Sequence, residues 1–441
     1  MGDFTRRGFL VTGLAATAAV AAACAGSGSG GGSSNSGSGG SGGGGGDITL
    51  RFLSNHPGSS KATEQALIDD FQKANSGIKV ELLDGGKNYE EVAQKFQTSL
   101  SGGDKADIIV VSDVTWFNFA LNKQIAPLDD LFAGAGLKPE EYVDSLLADT
   151  KFNGKHYAVP FARSTPLFYY NKDVWKKAGL EDRGPKDWDE FAQWAPRIQD
   201  AIGSDKKAIV IADGENYLDW VFEGWNWSKG GAYSDGWDLK FTTPESIAAA
   251  NQLKDVMSKW GRLATTPEND FGAGLAAVTL QSTGSLKTIS TSAKFELGTA
   301  FLPGPAGRSC PTGGAGVAIA EGISAERKAA AMKFIEFLTN TVNTSKFSQA
   351  TGYMPVRKAV VDEPSMKAFI EKNPNFGTAV RQLPVTRSQD NARVFVPGGG
   401  ADIGRALQQI VNGGDTAAVL GALQRTIQGK IDSQIKPKLP K

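Results

Sequence analysis

A chain of 441 residues with 47 basic and 47 acidic side chains carries a formal net charge of zero, which excludes nucleic acid or an anionic membrane surface as its main electrostatic partner. Two cysteines and two histidines are too few for a disulfide framework or for several metal centres. Beyond the first 46 residues the length suits about two lobes of ordinary domain size, and no apolar segment after Val20 is long enough to span a bilayer.

The N-terminus reads as a bacterial export signal. Arg6 and Arg7 are followed by Phe9 and Leu10, then by the apolar run from Val11 to Val20 and three alanines before Cys24. The paired arginines resemble the twin-arginine type of signal. Cys24 resembles the acceptor cysteine of a bacterial lipoprotein, so residues 1–23 are expected to be removed and Cys24 to carry the lipid. Residues 25–46 are almost wholly glycine and serine, a tether with an end-to-end distance of about 26 Å. The expected location is the outer face of the bacterial cytoplasmic membrane. With Cys24 lipidated, Cys310 is the last thiol and is expected to be a packed side chain.

The elements that follow are read in chain order. Ile48 to Phe52 alternates as a strand. Ala66, Leu67, Phe71 and Ala74 are expected on one helical face, and Ile78 to Leu82 alternates again. Tyr89, Val92, Ala93, Phe96 and Leu100 stand at helical spacing, and Ala106 to Val111 is an apolar run of buried-strand type. This order predicts an α/β lobe with a largely parallel sheet. Asn153-Gly154 marks a tight turn between short strands. Ile209 to Ile211 predicts a strand, and Pro244 to Trp260 and Ala329 to Leu338 predict helices. Residues 401–433 read as helical, interrupted at Gly413-Gly414.

Over nearly the whole body the chain resembles the extracytoplasmic solute-binding proteins of ABC importers, in the branch for sugars and glycerol phosphates. The resemblance is carried by Phe71 to Val80, Gly154 to Phe161, Leu167 to Leu180 with Pro185 to Phe191, Gly313-Gly314, and Thr351 to Arg357. It implies a periplasmic-binding-protein-like α/β fold of two lobes with a ligand cleft at a hinge. Lobe 1 is expected to comprise residues 47–158 plus about 287–345, and lobe 2 residues 159–286 plus about 346–441. Glu141 to Asp149, Arg163 to Tyr170, Gly230 to Asp235, Ser282 to Leu286 and Asn391 to Phe395 look most like the glycerol-phosphate and glycerophosphodiester (glycerophosphocholine) binding type.

Carried over by motif, the implied ligand contacts are Tyr89, Asp113, Ser164, Trp220, Ser282, Gly314, Tyr353 and Arg393. A phosphodiester offers paired oxygens that suit a guanidinium such as that of Arg393. The hydroxyls of Ser164, Ser282, Tyr89 and Tyr353 and an amide at Gly314 add donors. The run Tyr217 to Trp227 is rich in aromatic rings, which suit a sugar face or a quaternary ammonium group. One or two of its rings are expected in the cleft, Trp220 foremost, with the rest in the core. The bland alternatives are a surface or interlobe salt bridge for Arg393, helix capping for Ser164 and Ser282, and a core role for Tyr89. The enteric members of the type have glutamate where Asp113 stands and a tryptophan near Tyr217 that is lacking here.

The resemblance implies no cofactor, no metal and no enzymatic activity. It implies a monomer whose partners are a small-molecule ligand and an ABC permease. Two other readings stay open: a di- or oligosaccharide-binding protein of the same fold, and a secreted glycoside or phosphodiester hydrolase. For the last, His56 and His156 lie in no metal-binding pattern, and no nucleophile elbow or phosphate-binding loop is present.

Overall fold

In the computed structural model, residues 47–102, 105–305 and 309–439 are described. The export signal, Cys24 and the Gly/Ser segment lie outside them. Ten strands build two five-stranded sheets: β1 (Ile48–Ser54), β2 (Ile78–Asp84), β3 (Ile108–Ser112), β4 (Val159–Ser164), β5 (Pro166–Asn171), β6 (Lys207–Ala212), β7 (Gly261–Ala264), β8 (Ala276–Ser282), β9 (Leu297–Ala300) and β10 (Gly313–Ile319). The first sheet has the order β2-β1-β3-β10-β4 and the second β7-β6-β8-β5-β9. In each, three strands pair in parallel, a fourth is added antiparallel, and the fifth pairs antiparallel with the fourth.

Both faces of each sheet are covered. Ile108 and Val110 of β3 enter one apolar cluster, while Ile109 and Val111 enter another on the opposite face. In the second sheet Ile209 and Ile211 face one core and Val210 the other. A strand buried on both faces needs a continuous apolar run rather than an alternating one, which is why Ile108–Val111 reads as it does.

The helix Lys61–Ala74 buries Glu64, Leu67, Ile68 and Phe71. Ala66, expected on that face, is exposed because a 100° step per residue aligns 64, 67, 68 and 71 on one arc and puts it opposite, and Ala74 is exposed as the last residue of the helix. The helix Tyr89–Leu100 is capped by the Asn88 side chain, which accepts from the Glu91 amide at 2.9 Å. The Pro244–Trp260 helix forms over the span expected, capped by Thr243. Asn153 and Gly154 take φ of 48° and 77° in the hairpin turn pairing Lys151 with His156. The C-terminal helices Gly399–Val411 and Thr416–Lys430 are separated by the turn at Gly413-Gly414. Among the described residues no helix is long and apolar enough to cross a membrane.

The chain passes between the sheets at Thr165, which separates β4 from β5, and again between β9 and β10. Strand pairing therefore places Val159–Ser164 in the first sheet and Leu297–Ala300 in the second. The segment bounds read from sequence grouped both strands the other way, because hydrogen-bond ladders leave no mark in composition. Cys310 is 2 % exposed in the second crossing, and burial pushes its thiol up out of the range where it ionises.

Candidate functional site

The carboxyl ends of the parallel strands in both sheets open on one cleft of about 730 Å³, the position where open α/β sheets usually take ligands. From the first sheet come Asn55 and His56 after β1, Tyr89 after β2 and Asp113 after β3; from the second come Tyr217 after β6, Glu268 after β7 and Ser282 at the end of β8. Ser164 and Gly314 reach the cleft from the strands flanking the crossings. All eight residues carried over by motif, Tyr89, Asp113, Ser164, Trp220, Ser282, Gly314, Tyr353 and Arg393, line it.

Arg393 is the charged centre of the wall. It sits in the short helix Asn391–Val394 with 7 % of its side chain exposed. Its Nε lies 2.7 Å from Asp219 Oδ2 and its Nη1 lies 3.2 Å from Asp113 Oδ2. Nη1 also donates to Gln389, and Gln389 in turn donates to Asp113. Nε is buried and, despite its approach to Asp219, makes no hydrogen bond to a described residue. Burial opposes the charge on this guanidinium, but Asp219 and Asp113 outweigh it and hold the group cationic. The pair with Asp113 joins the two sheets, so the interlobe salt bridge weighed for Arg393 is present alongside its place in the cleft.

Asp219, which sequence reasoning missed, lies in the helix Leu218–Ser228 and is 3 % exposed. Burial raises its carboxyl pKa, and the Arg393 charge draws it back down. Below it, Glu223 accepts from the Asp390 amide at 2.8 Å, and Asp390 accepts from the Tyr233 amide at 2.7 Å and the Trp227 indole at 3.1 Å. Burial, then the neighbouring Asp390 charge, pushes Glu223 well above the usual carboxylate range. These contacts fix the backbone just before Arg393, so the guanidinium is held by a buried polar network rather than by a surface loop.

The aromatic run divides as its burial dictates. Trp220 lines the cleft, and its Nε1 donates to Thr312 O at 2.9 Å. Trp225 stacks on Trp188 with ring centroids 3.6 Å apart, deep in the second core. Trp227 is buried under the Arg387 guanidinium, 3.9 Å from its ring centroid. Tyr217 also lines the cleft, where Glu268 accepts from its hydroxyl at 3.3 Å and from Gln281 Nε2 at 2.8 Å. Glu268 and Gln281 carried no sequence signal, since polar residues at strand ends have ordinary composition.

The remaining contacts split between structural and available groups. Ser282 Oγ accepts from the Gly284 amide at 3.0 Å, the capping role weighed for it. Ser164 caps nothing and its hydroxyl makes no hydrogen bond to a described residue. Gly314 has φ +90°, and a Cβ there would lie 2.2 Å from Ala162 O, so only glycine fits. The Tyr89 ring packs on the first core while its hydroxyl is buried without a hydrogen bond; burial, then the neighbouring Tyr353, holds that phenol well above its ordinary pKa. The cleft lining thus combines the cations Arg393 and Lys87, the carboxylates of Glu90, Asp113, Glu215 and Glu268, hydroxyls and aromatic faces, which suits reversible capture of a small polar ligand.

Comparison with known proteins gives the same architecture. Residues 66–378 match the family model described as bacterial extracellular solute-binding protein. The sn-glycerol-3-phosphate-binding periplasmic protein UgpB of Escherichia coli (strain K12) is 30 % identical over 360 residues, covering 76 % of this chain and 80 % of that protein. The crystal structure of UgpB from Mycobacterium tuberculosis in complex with glycerophosphocholine is 47 % identical, with a TM-score of 0.85 over 88 % of this chain and 100 % of that one. The cyclic alpha-maltosyl-1,6-maltose binding protein from Arthrobacter globiformis, 20 % identical with a TM-score of 0.73 over 88 % of this chain and 99 % of that one, shares the fold. With a family match over most of its length and two mixed sheets opening on a common cleft, this chain belongs to the bacterial extracellular solute-binding proteins.

Proposed function

We propose that this protein is the substrate-binding component of an ABC importer, capturing a glycerophosphodiester such as glycerophosphocholine, or glycerol phosphate, between two lobes and delivering it to a permease. The observation that carries the reading is Arg393, a buried cation on the cleft wall held between Asp113 and Asp219. A singly charged diester needs one such group, and the Ser164 hydroxyl on the same wall adds a neutral donor. The 47 % identical M. tuberculosis protein, crystallised with glycerophosphocholine, supports the choice of ligand. The two sheets with their associated helices act as lobes that close on the ligand by hinge motion. Cys24 carries a lipid that anchors the protein outside the cytoplasmic membrane, and the exported chain works as a monomer.

A sugar is the second reading. Trp220 and Tyr217 offer ring faces, and Glu268 and Asp113 offer acceptors for hydroxyls. The binding and hydrolytic roles separate in a phosphorus NMR experiment on glycerophosphocholine mixed with the protein. Broadening of the diester signal with no new resonance after prolonged incubation is expected. Appearance of a monoester signal contradicts a purely binding role.

A further inference from the structure

His56 stands at the rim of the cleft in backbone that only a strong local requirement would hold. Its φ is 54°, and Gly58 and Ser59 follow at 59° and 64°, so three of four consecutive residues are left-handed. Two of the three are not glycine, a costly arrangement that concentrates at functional sites. The imidazole is oriented from behind. Its Nδ1 lies 3.3 Å from Glu64 Oε2, and Glu64 is fully buried and accepts from the Ser60 hydroxyl as well. With a carboxylate at Nδ1, the proton of the neutral ring sits on Nδ1 and Nε2 is an acceptor.

That acceptor is unused. Nε2 is buried and makes no hydrogen bond to a described residue, although the side chain is 91 % buried and the residue lines the cleft. Buried polar atoms are nearly always paired, so an orphan on a binding wall calls for a partner. The Tyr89 hydroxyl on the same wall is likewise buried and unpaired. Tyr353 lines the same cleft, and Gly58 is packed against it so closely that a Cβ would lie 2.9 Å from the ring.

We infer that His56, positioned by Glu64 and Ser60, is a ligand-contacting residue whose Nε2 accepts a hydrogen bond from a glycerol hydroxyl of the bound diester. The inference rests on the glycerophosphodiester reading above and gives the ligand a direction. The donor at Arg393 takes the phosphate oxygens, and the acceptor at His56 takes a hydroxyl, which is a donor and which a phosphate diester anion is not.

The test is calorimetric titration of the protein and its His56→Ala and His56→Asn variants with two ligands. One is glycerophosphocholine; the other is propylphosphocholine, the same diester without the two glycerol hydroxyls. Asparagine tolerates left-handed backbone, so His56→Asn guards against a variant that merely misfolds. The unsubstituted protein should prefer glycerophosphocholine by about tenfold or more, the scale of leaving one buried acceptor unpaired. Both variants should lose most of that preference while binding propylphosphocholine unchanged. Variants that keep the preference, or that weaken both ligands equally, overturn the assignment and leave the ligand reading intact. No binding of either ligand by the unsubstituted protein overturns the ligand reading and this inference together.

Discussion

Arg393 Nη1 lies 3.2 Å from Asp113 Oδ2, and this ion pair ties the turn after β3 of the first sheet to a helix whose Ala392 is packed in the second core. In the binding mode proposed above, a phosphodiester entering the cleft would compete with Asp113 for the same guanidinium, while Asp219 keeps Nε fixed from the other side. The anion therefore meets a cation already aimed, with little side-chain freedom left to lose.

Replacing Arg393 separates its two duties. Arg393→Ala should abolish diester binding and cost about 3–5 kcal/mol of stability, because Asp219 is left buried without its cation. Arg393→Lys retains the charge but not the planar fork. It should weaken binding at least tenfold with a smaller loss of stability. Calorimetry and urea denaturation read the two effects independently.

Gly314→Ala puts a methyl group 2.2 Å from Ala162 O at a φ of +90°. The backbone must move, so a loss of at least about 2 kcal/mol in urea denaturation is expected. Because this residue lies at the mouth of the cleft, affinity should fall in the same variant.

Trp220 and Trp225 sit five residues apart on one helix and should behave differently. Trp225→Ala breaks the stack on Trp188 and should cost about 3–5 kcal/mol, with ligand affinity unchanged in the fraction that folds. Trp220→Phe removes the indole bond to Thr312 O and alters the cleft wall, so affinity should drop with a stability loss of about 1–2 kcal/mol. Denaturation curves beside titrations of each variant check the contrast.

Glu223 makes stability depend on pH. Burial holds its folded pKa well above the unfolded value, so above the ordinary glutamate range the folded state binds more protons than the unfolded state. Stability therefore falls as pH rises through the window between those two values. Glu223→Gln keeps an oxygen to accept from the Asp390 amide but removes the ionisation. The variant should gain stability relative to the parent as pH rises, with a flatter profile of melting temperature above the ordinary glutamate range.

Much of the fold was legible where one physical signal dominated. The apolar run at Ile108–Val111 and the Thr243-capped helix from Pro244 to Trp260 are examples. β10 was not, because the sequence from Gly313 to Ile319 begins with three glycines in four residues and reads as loop. Its glycines serve close approach: a Cβ at Gly316 would lie 2.8 Å from Val159 O. The eight cleft residues were found through motif resemblance, and no spacing argument would have gathered Tyr89 with Arg393. Asp219 was hidden inside an aromatic run, where an acid looks like the solvent side of a helix and its partner lies far along the chain. Glu64 and His56 were hidden differently, one as a polar residue on an otherwise apolar helix face, the other as a loop residue.

The central claim is most directly tested by calorimetric titration of the protein with glycerophosphocholine, beside glycerol phosphate and trehalose. Preferential binding of glycerophosphocholine near micromolar Kd, about −8 kcal/mol, is the predicted result. Heat with trehalose and none with either phosphate ester would contradict the account and make Arg393 an interlobe tie in a sugar receptor.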